Sequence, residues 1–426
     1  MRRVVALLLL VTLVSGSEML SRRLLMGGGS GGAFTLPEPF TVTDRMSSWW
    51  TIPRAVEYNG RVYTTGVTEA GGIVVDSVAR ADHGDTATVT LATHEQDDHN
   101  SAALLVPSDQ PPLFFYSRHG LDTSLRYRKG SSVGSLASLG AVQTITFTGA
   151  VTYAQVWRRP ATDEVHVFVR ELATHQRYWS NVYTTNYATS WSTPRRVFDF
   201  GAGEQGYIGT VATAADANII RVALTGHPTS STIHDIYYAE ITLSTGDIKN
   251  QAGTTLGNLK DGTNLPLTVT SLDKAVDIDT ATYNARLMDI GDGPEPEIAY
   301  GQWTSDTNMT YHRSVYSGSW SSSQIVAAGV VFGYTASVHY NGGMAFPRDT
   351  PGGRVYLSRE ASGTWYIERR DLIDGSWLTL PIASGSSKLV RPHPIADATA
   401  GDVVWHDVTT YPDFETWTGA DLIGKG

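Results

Sequence analysis

Two histidines, a tyrosine and an arginine are spaced so that a pair of β-hairpins would gather them. Residues 97–120 read DDHNSAALLVPSDQPPLFFYSRHG. An apolar run at 102–106 meets a second at 113–116 across the turn-rich PSDQPP of 107–112, the pattern of one hairpin. Folded about that turn, His99 falls opposite His119 at the open end, and directly paired residues share a face with Cβ atoms roughly 5 Å apart. Residues 153–157 and 165–170 flank a second turn, RPATDE, and set Tyr153 opposite Arg170. An imidazole exchanges protons near neutrality. A guanidinium is permanently charged and grips a carboxylate through two parallel hydrogen bonds. A phenol donates a proton, or accepts one when a nearby cation lowers its pKa. Brought together, such groups can move protons beside a neutralised anion. Each also has a plainer reading at a strand end: His99 satisfied by Asp97 or Asp98, Arg170 paired with Glu171 or Asp163, Tyr153 as packing.

The elements that would position these residues recur along the chain. From Thr35 onward an inner hairpin is followed by a third strand with a central tyrosine, at Tyr127, Tyr178, Tyr237, Tyr311 and Tyr366. Three of these units close with a tryptophan, Trp191, Trp320 and Trp377. First strands are expected near Arg54, His99, Tyr153, Tyr207, Glu297, Thr335 and Arg391, with an insertion at 253–279 accounting for the long fourth interval. A period of roughly 40 to 55 residues with about four strands per unit reads as propeller blades. The predicted fold is therefore all-β, a seven-bladed β-propeller of four-stranded antiparallel blades occupying residues 35–426. Strand ends facing the axis of such a ring form a polar funnel, where a site is expected.

Composition agrees. The chain has 426 residues with 42 Gly, 20 Tyr and 11 Trp, which favours short strands and tight turns over helices. It has no cysteine, so disulfides, thiolate metal sites and a cysteine nucleophile are excluded. A net charge of −10 with no Lys/Arg-rich run argues against nucleic acid as a partner. An anionic ligand would need cationic groups concentrated locally.

Residues 1–17 carry Arg2 and Arg3 before an apolar run and small residues, like a secretory signal, and the run is too short to span a bilayer. Residues 18–34 form a Gly/Ser-rich linker. A secreted protein without stable membrane insertion, and monomeric, is expected. If Met19 is the true start, the alternative is a virion-associated phage protein.

Several segments resemble the BNR-4 repeat family, the seven-bladed propellers that include ulvan lyases and related uronate-polysaccharide lyases. They are WWTIPRAV (49–56), DDHN (97–100), FYSRHG (115–120), residues 153–170, GHP (226–228) with IYY (236–238), and Arg391-Pro392. Residues 184–191, TTNYATSW, are similar to a degenerate Asp-box turn, with Asn186 where aspartate is usual and Ala188 where glycine is. The resemblance implies β-elimination on an anionic, uronate-containing polysaccharide. It implies His99 as base, Tyr153 as acid, and Arg170 with His119 as carboxylate clamp; His99 and Tyr153 exchange roles if the C5 configuration requires it. Asn100, Arg118, His227 and Tyr238 are expected substrate contacts, with His234 beside them. Trp49 and Trp50 can stack on sugars or join the core. No cofactor is required. The acidic loop with Asp289, Asp292, Glu295 and Glu297 is a candidate for structural Ca²⁺, though its spacing is not that of an EF-hand. The competing functions are a non-catalytic glycan-binding propeller and a sialidase-type glycoside hydrolase, for which no arginine triad or Tyr/Glu nucleophile pair can be placed.

Overall fold

Middle strands of the chain are apolar on both faces, whereas the strands that end each unit alternate. Arg61–Val67 is buried along almost its whole length, while Thr86–Thr93 is mostly exposed. A sheet that is covered on both sides near its middle and wetted at one edge must be stacked among like sheets. The computed structural model shows that arrangement, and it describes residues 39–425 apart from 174–175, 228–230, 279–283, 304–307, 322–323, 330–340, 349–352 and 398–401. The expected signal and linker segments lie outside the described residues.

Seven antiparallel sheets follow one another as blades of a propeller. Their innermost strands are Ala55–Tyr58, Ala103–Leu105, Ala150–Arg158, Gly206–Ala212, Asn284–Gly291, Met344–Ala345 and Lys388–Pro394. The seventh sheet is completed from the other end of the chain: Phe40–Val42 pairs with Thr418–Lys425, Phe40 opposite Gly424. A side chain at Gly424 would run into the Phe40 ring, so glycine is required where the two ends meet. In blade 4 the outer position is shared by Asp247–Lys249 and Asp273–Val276. Between them Thr255–Asn258 folds back on Asp247–Lys249 as a further strand of the blade, and Leu267–Thr268 adds a parallel fifth strand to blade 3.

All five signature tyrosines occupy third strands. Two of them clamp the next blade: the Tyr127 hydroxyl donates to the Ala188 carbonyl (3.1 Å) and that of Tyr311 to the Ser358 carbonyl (2.8 Å). The tryptophans reach the other way. Trp191 packs edge-on against Phe115 and Tyr127 of blade 2, and Trp320 against Tyr238 of blade 4. In the Asp-box-like turn, Ala188 sits at φ 65°, the left-handed conformation for which glycine is usual. Asn186 takes the aspartate's part there, accepting from the Ser190 backbone N–H at 2.9 Å.

Two expectations change. Blade 5 begins one strand earlier than the sequence suggests, at Asn284–Gly291, and Glu297–Trp303 is its second strand. A bulge between Leu287 and Asp289 breaks the alternation that identifies an inner strand. The insertion is also shorter than 253–279, because Asp273–Val276 returns to the blade. Thr335 lies outside the described residues.

Residues 46–54, ahead of blade 1, run across the space enclosed by the inner strands. Ile52 exchanges backbone hydrogen bonds with Ala154 and Val156 of blade 3, Ser48 donates to Asp98 of blade 2, and the Ser47 carbonyl receives Arg391 of blade 7. Among the described residues, no helix is long and apolar enough to cross a membrane.

Candidate functional site

The first hairpin keeps strict register: Ala103 pairs with Phe115, Leu104 with Phe114 and Leu105 with Leu113. Carried outward, that register sets His99 against His119. Their rings stack, with centroids 4.1 Å apart and planes 13° from parallel. His99 lies in a single 3-10 turn, Asp98–Asn100, capped by the Asp97 side chain, which accepts the His99 backbone N–H at 2.9 Å. The same carboxylate receives Nδ1 of His99 on one oxygen (2.6 Å) and Nδ1 of His119 on the other (2.9 Å). An ionised carboxylate only accepts, so both imidazoles carry a proton on Nδ1, which leaves Nε2 as the atom that exchanges a proton. Phe414, from the last blade, closes edge-on over both rings at 4.5 and 5.4 Å.

The second hairpin is not in strict register. Arg170 pairs with Thr152, and a bulge between Thr152 and Gln155 holds Tyr153 at φ 57°. The expected pairing of Tyr153 with Arg170 is therefore off by one place, because the bulge adds a residue to the inner strand and re-aims it. The contact survives by another route. The Arg170 guanidinium lies over the Tyr153 ring at 4.4 Å and over Tyr207 at 5.3 Å. Its Nη2 points at His119 Nε2 from 3.4 Å. His99 and His119 lie 5.2 and 5.9 Å from Tyr153, centroid to centroid. The four residues thus form one cluster.

The electrostatics are lopsided. Burial opposes ionisation of Asp97, but the charge of His99 and the hydrogen bonds from both imidazoles hold its pKa well below the usual carboxylate range. Burial, then the neighbouring His99 and Arg170, bring His119 down to about 4 against the pull of Asp97. His227 stacks on Tyr207 at 5.4 Å, and burial with Arg170 and Arg286 takes it to about 3. Arg170 forms no ion pair among the described residues: Glu171 is bound by Arg196 at 3.1 Å, and Asp163 takes Gln110. A cavity of about 180 Å³ opens beside it, lined by His119, Thr152, Arg170 and Arg177 among others. Tyr153 is 1% exposed, beneath Arg170. A chain with a net charge of −10 therefore concentrates guanidinium and imidazole groups at this one place.

The other expected contacts divide. His227 faces the cluster through Tyr207. Tyr238 does not: it is fully buried, donates to Glu240 at 2.9 Å and packs on Trp320, because its strand turns it toward blade 5. The His234 carbonyl accepts from Ala285. Asn100 is fully buried and acts from behind, its Oδ1 accepting the His119 backbone N–H at 2.7 Å. Arg118 is engaged by Glu95 at 2.8 Å. Trp50 stacks flat on Tyr207, 4.4 Å and 2°, and Trp49 packs on the core of blades 5 and 6. In the acidic loop, Asp289 is gripped by Arg348 and Glu297 by Arg313, so those two carboxylates are already neutralised by protein. Among the described residues, the one group of three that could share a metal ion is Asp97, His99 and His119. Their Nδ1 atoms are already committed to the Asp97 carboxylate.

Sequence reasoning treated Asp97 only as a possible neighbour of His99 and gave Tyr207, Arg177 and Phe414 no place in the site. The signal for Asp97 was present, an acidic N-cap two residues before a histidine. Nothing local marks Phe414, which arrives from the far end of the chain.

Fold and site together define a seven-bladed propeller with an imidazole–phenol–guanidinium cluster between blades 2 and 3. Residues 61–328, more than half of the chain, match the family model described as BNR repeat-containing family member. The chain belongs to that family. No curated protein matches the sequence. Among solved structures, it is similar to a PL25 ulvan lyase bound to -[GlcA(1-4)Rha3S]-, with 12% identity and a TM-score of 0.64 over 91% of this chain and 94% of that one. It is also similar to the polysaccharide lyase Uly1, with 11% identity and a TM-score of 0.56 over 92% and 100%. At such identities the likeness is one of fold.

Proposed function

We propose that the chain is a polysaccharide lyase that cleaves a uronate-containing polymer, ulvan-like in its acidic sugar, by β-elimination. The observation that carries this is Arg170, a guanidinium without an acidic partner among the described residues, set between two imidazoles and a phenol. Elimination needs the uronate carboxylate neutralised so that negative charge can develop at C5. It also needs a base for the C5 proton and an acid for the departing oxygen. Arg170 takes the carboxylate, His99 receives the C5 proton on Nε2, and Tyr153 protonates the glycosidic oxygen as the C4–O bond breaks and the C4=C5 double bond forms. The reverse allocation of His99 and Tyr153 serves the opposite C5 epimer.

His119 has a narrower part than a clamp. With Nδ1–H on Asp97 and a pKa near 4, it offers a lone pair to Arg170 and aims the guanidinium; it donates to the carboxylate only if the bound anion brings a proton onto Nε2. Because Tyr153 lies under Arg170, the guanidinium must move onto the substrate for the phenol to be reached. Catalytic contacts commonly tighten only in the substrate complex.

A panel of uronate polymers, followed by ultraviolet absorbance of the unsaturated product, tests the proposal. Tyr153→Phe keeps the ring under Arg170 and removes only the hydroxyl; it and His99→Ala should each lower kcat by roughly 10²- to 10⁴-fold with polymer affinity nearly unchanged. Wild-type turnover in both variants refutes the roles. The burial of Tyr153 favours a second reading, a glycan-binding propeller without catalysis. That reading gains if every polymer binds and none yields unsaturated product.

A further inference from the structure

Arg177 stands on the third strand of blade 3, paired with Leu172 and one strand outward from Arg170. The two guanidiniums line the same cavity of about 180 Å³, whose other walls are His119, Gly120, Ala150, Thr152 and Leu172. None of these walls carries a carboxylate. Among the described residues Arg177 makes no ion pair and no hydrogen bond through its side chain, and its Nε is buried without a partner. Burial and the charge of Arg170 lower its pKa to about 10. Two like charges sharing a small cavity repel, and a buried donor left unbonded is destabilising. Such an arrangement is relieved by an anion that comes from outside the chain. One uronate carboxylate satisfies Arg170 and leaves a full positive charge on Arg177.

We infer that the cavity receives a second anionic group of the substrate, a sulfate ester or carboxylate on the sugar next to the cleaved uronate, and that Arg177 is the residue that selects for it. The inference rests on the lyase reading of the same site. It makes the preferred polymer one with acidic groups on adjacent sugars. It also gives the two arginines different targets, with Arg170 at the reacting sugar and Arg177 at its neighbour. A planar guanidinium suits either oxyanion, since both present paired oxygens to its fork.

The test compares wild type, Arg177→Gln and Arg177→Lys on three substrates: a sulfated uronate polymer, the same polymer after chemical desulfation, and an unsulfated polyuronate with carboxylates on consecutive sugars. A charge-assisted contact corresponds to roughly 10- to 100-fold in kcat/KM. Removing the second acidic group from the polymer should lower wild-type kcat/KM by about that factor, mainly through KM. R177Q should lose the same factor on the intact polymer and be indifferent to the group's removal, and R177K should recover part of it. A wild-type advantage over R177Q on the desulfation pair identifies sulfate, and one on the polyuronate identifies carboxylate. If R177Q matches wild type on every polymer, Arg177 does not select. If no polymer yields unsaturated product, the lyase reading falls separately. The affinities of wild type and R177Q for all three polymers, measured by calorimetry, then decide: a Kd difference confined to the sulfated form or to the polyuronate sustains the second-anion site, and equal values on every polymer overturn it.

Discussion

Replacing Asp97 by asparagine is the most informative single change, because it keeps shape and inverts one hydrogen bond. One Asp97 oxygen accepts both the His99 backbone N–H and His99 Nδ1, and the other accepts His119 Nδ1. In Asp97→Asn the amide oxygen can keep the His99 side, which places the NH₂ against His119 Nδ1. Two donors cannot face each other, so His119 must shift its proton to Nε2. Nε2–H then meets Arg170 Nη2, itself a donor, which now stands 3.4 Å away. The guanidinium is pushed off its position above Tyr153. The lost interaction is a hydrogen bond to a charged group, worth about 1.5–3 kcal/mol. That corresponds to roughly 10- to 150-fold in kcat/KM. The assay is initial-rate ultraviolet absorbance on whichever polymer the wild type cleaves, with a thermal melt to confirm that the variant is folded. The causal chain runs through His119, so His119→Ala should already incur much of the loss, and the double variant should be clearly less than additive. A folded Asp97→Asn enzyme within threefold of wild type, or full additivity with His119→Ala, refutes the reasoning.

Acid should weaken the fold through its buried imidazoles. Burial takes His312 to about 4 and His227 to about 3, and carries His393 and His406 well below the usual value. The unfolded chain protonates such groups near 6.5 and the native state does not, so their stabilisation is complete above that pH. It is lost as the pH falls toward 4, about 3 kcal/mol for His312 alone. Denaturant midpoints that stay flat between pH 7 and 5 contradict this. Phe40→Ala should destabilise by about 3–5 kcal/mol, because the ring is 5% exposed and seats the closing strand on Gly424; a calorimetric melt within 1 °C of wild type rules it out.

How much of this was legible beforehand depended on range. The hairpin 97–120 was readable to the residue because its turn is short and its register unbroken, which is why the pairing of His99 with His119 survives intact. Tyr153 and Arg170 were found by the same logic but misaligned by one, since a bulge leaves no clear mark in alternation. Tyr127, Tyr178, Tyr237, Tyr311 and Tyr366 announced the third strands because the same residue type recurs at one place in each unit, and in Tyr127 and Tyr311 the hydroxyl is spent on a carbonyl of the next blade. Tyr238 was misassigned for a related reason: neighbouring residues of one strand face opposite ways, and the sequence does not say which side of a blade the site is on. Phe414 and Arg177 were invisible, since their importance depends on what the fold brings beside them.

The seam in the seventh sheet has a consequence for biosynthesis. Phe40–Val42 leaves the ribosome long before its partner Thr418–Lys425. The nascent chain can stack blade upon blade as it emerges, yet the hoop stays unfastened until Thr418–Lys425 has followed, with Phe40 waiting for Gly424. A stalled or truncated product lacking residues 418–425 would lose the latch while still carrying His99, His119, Tyr153 and Arg170.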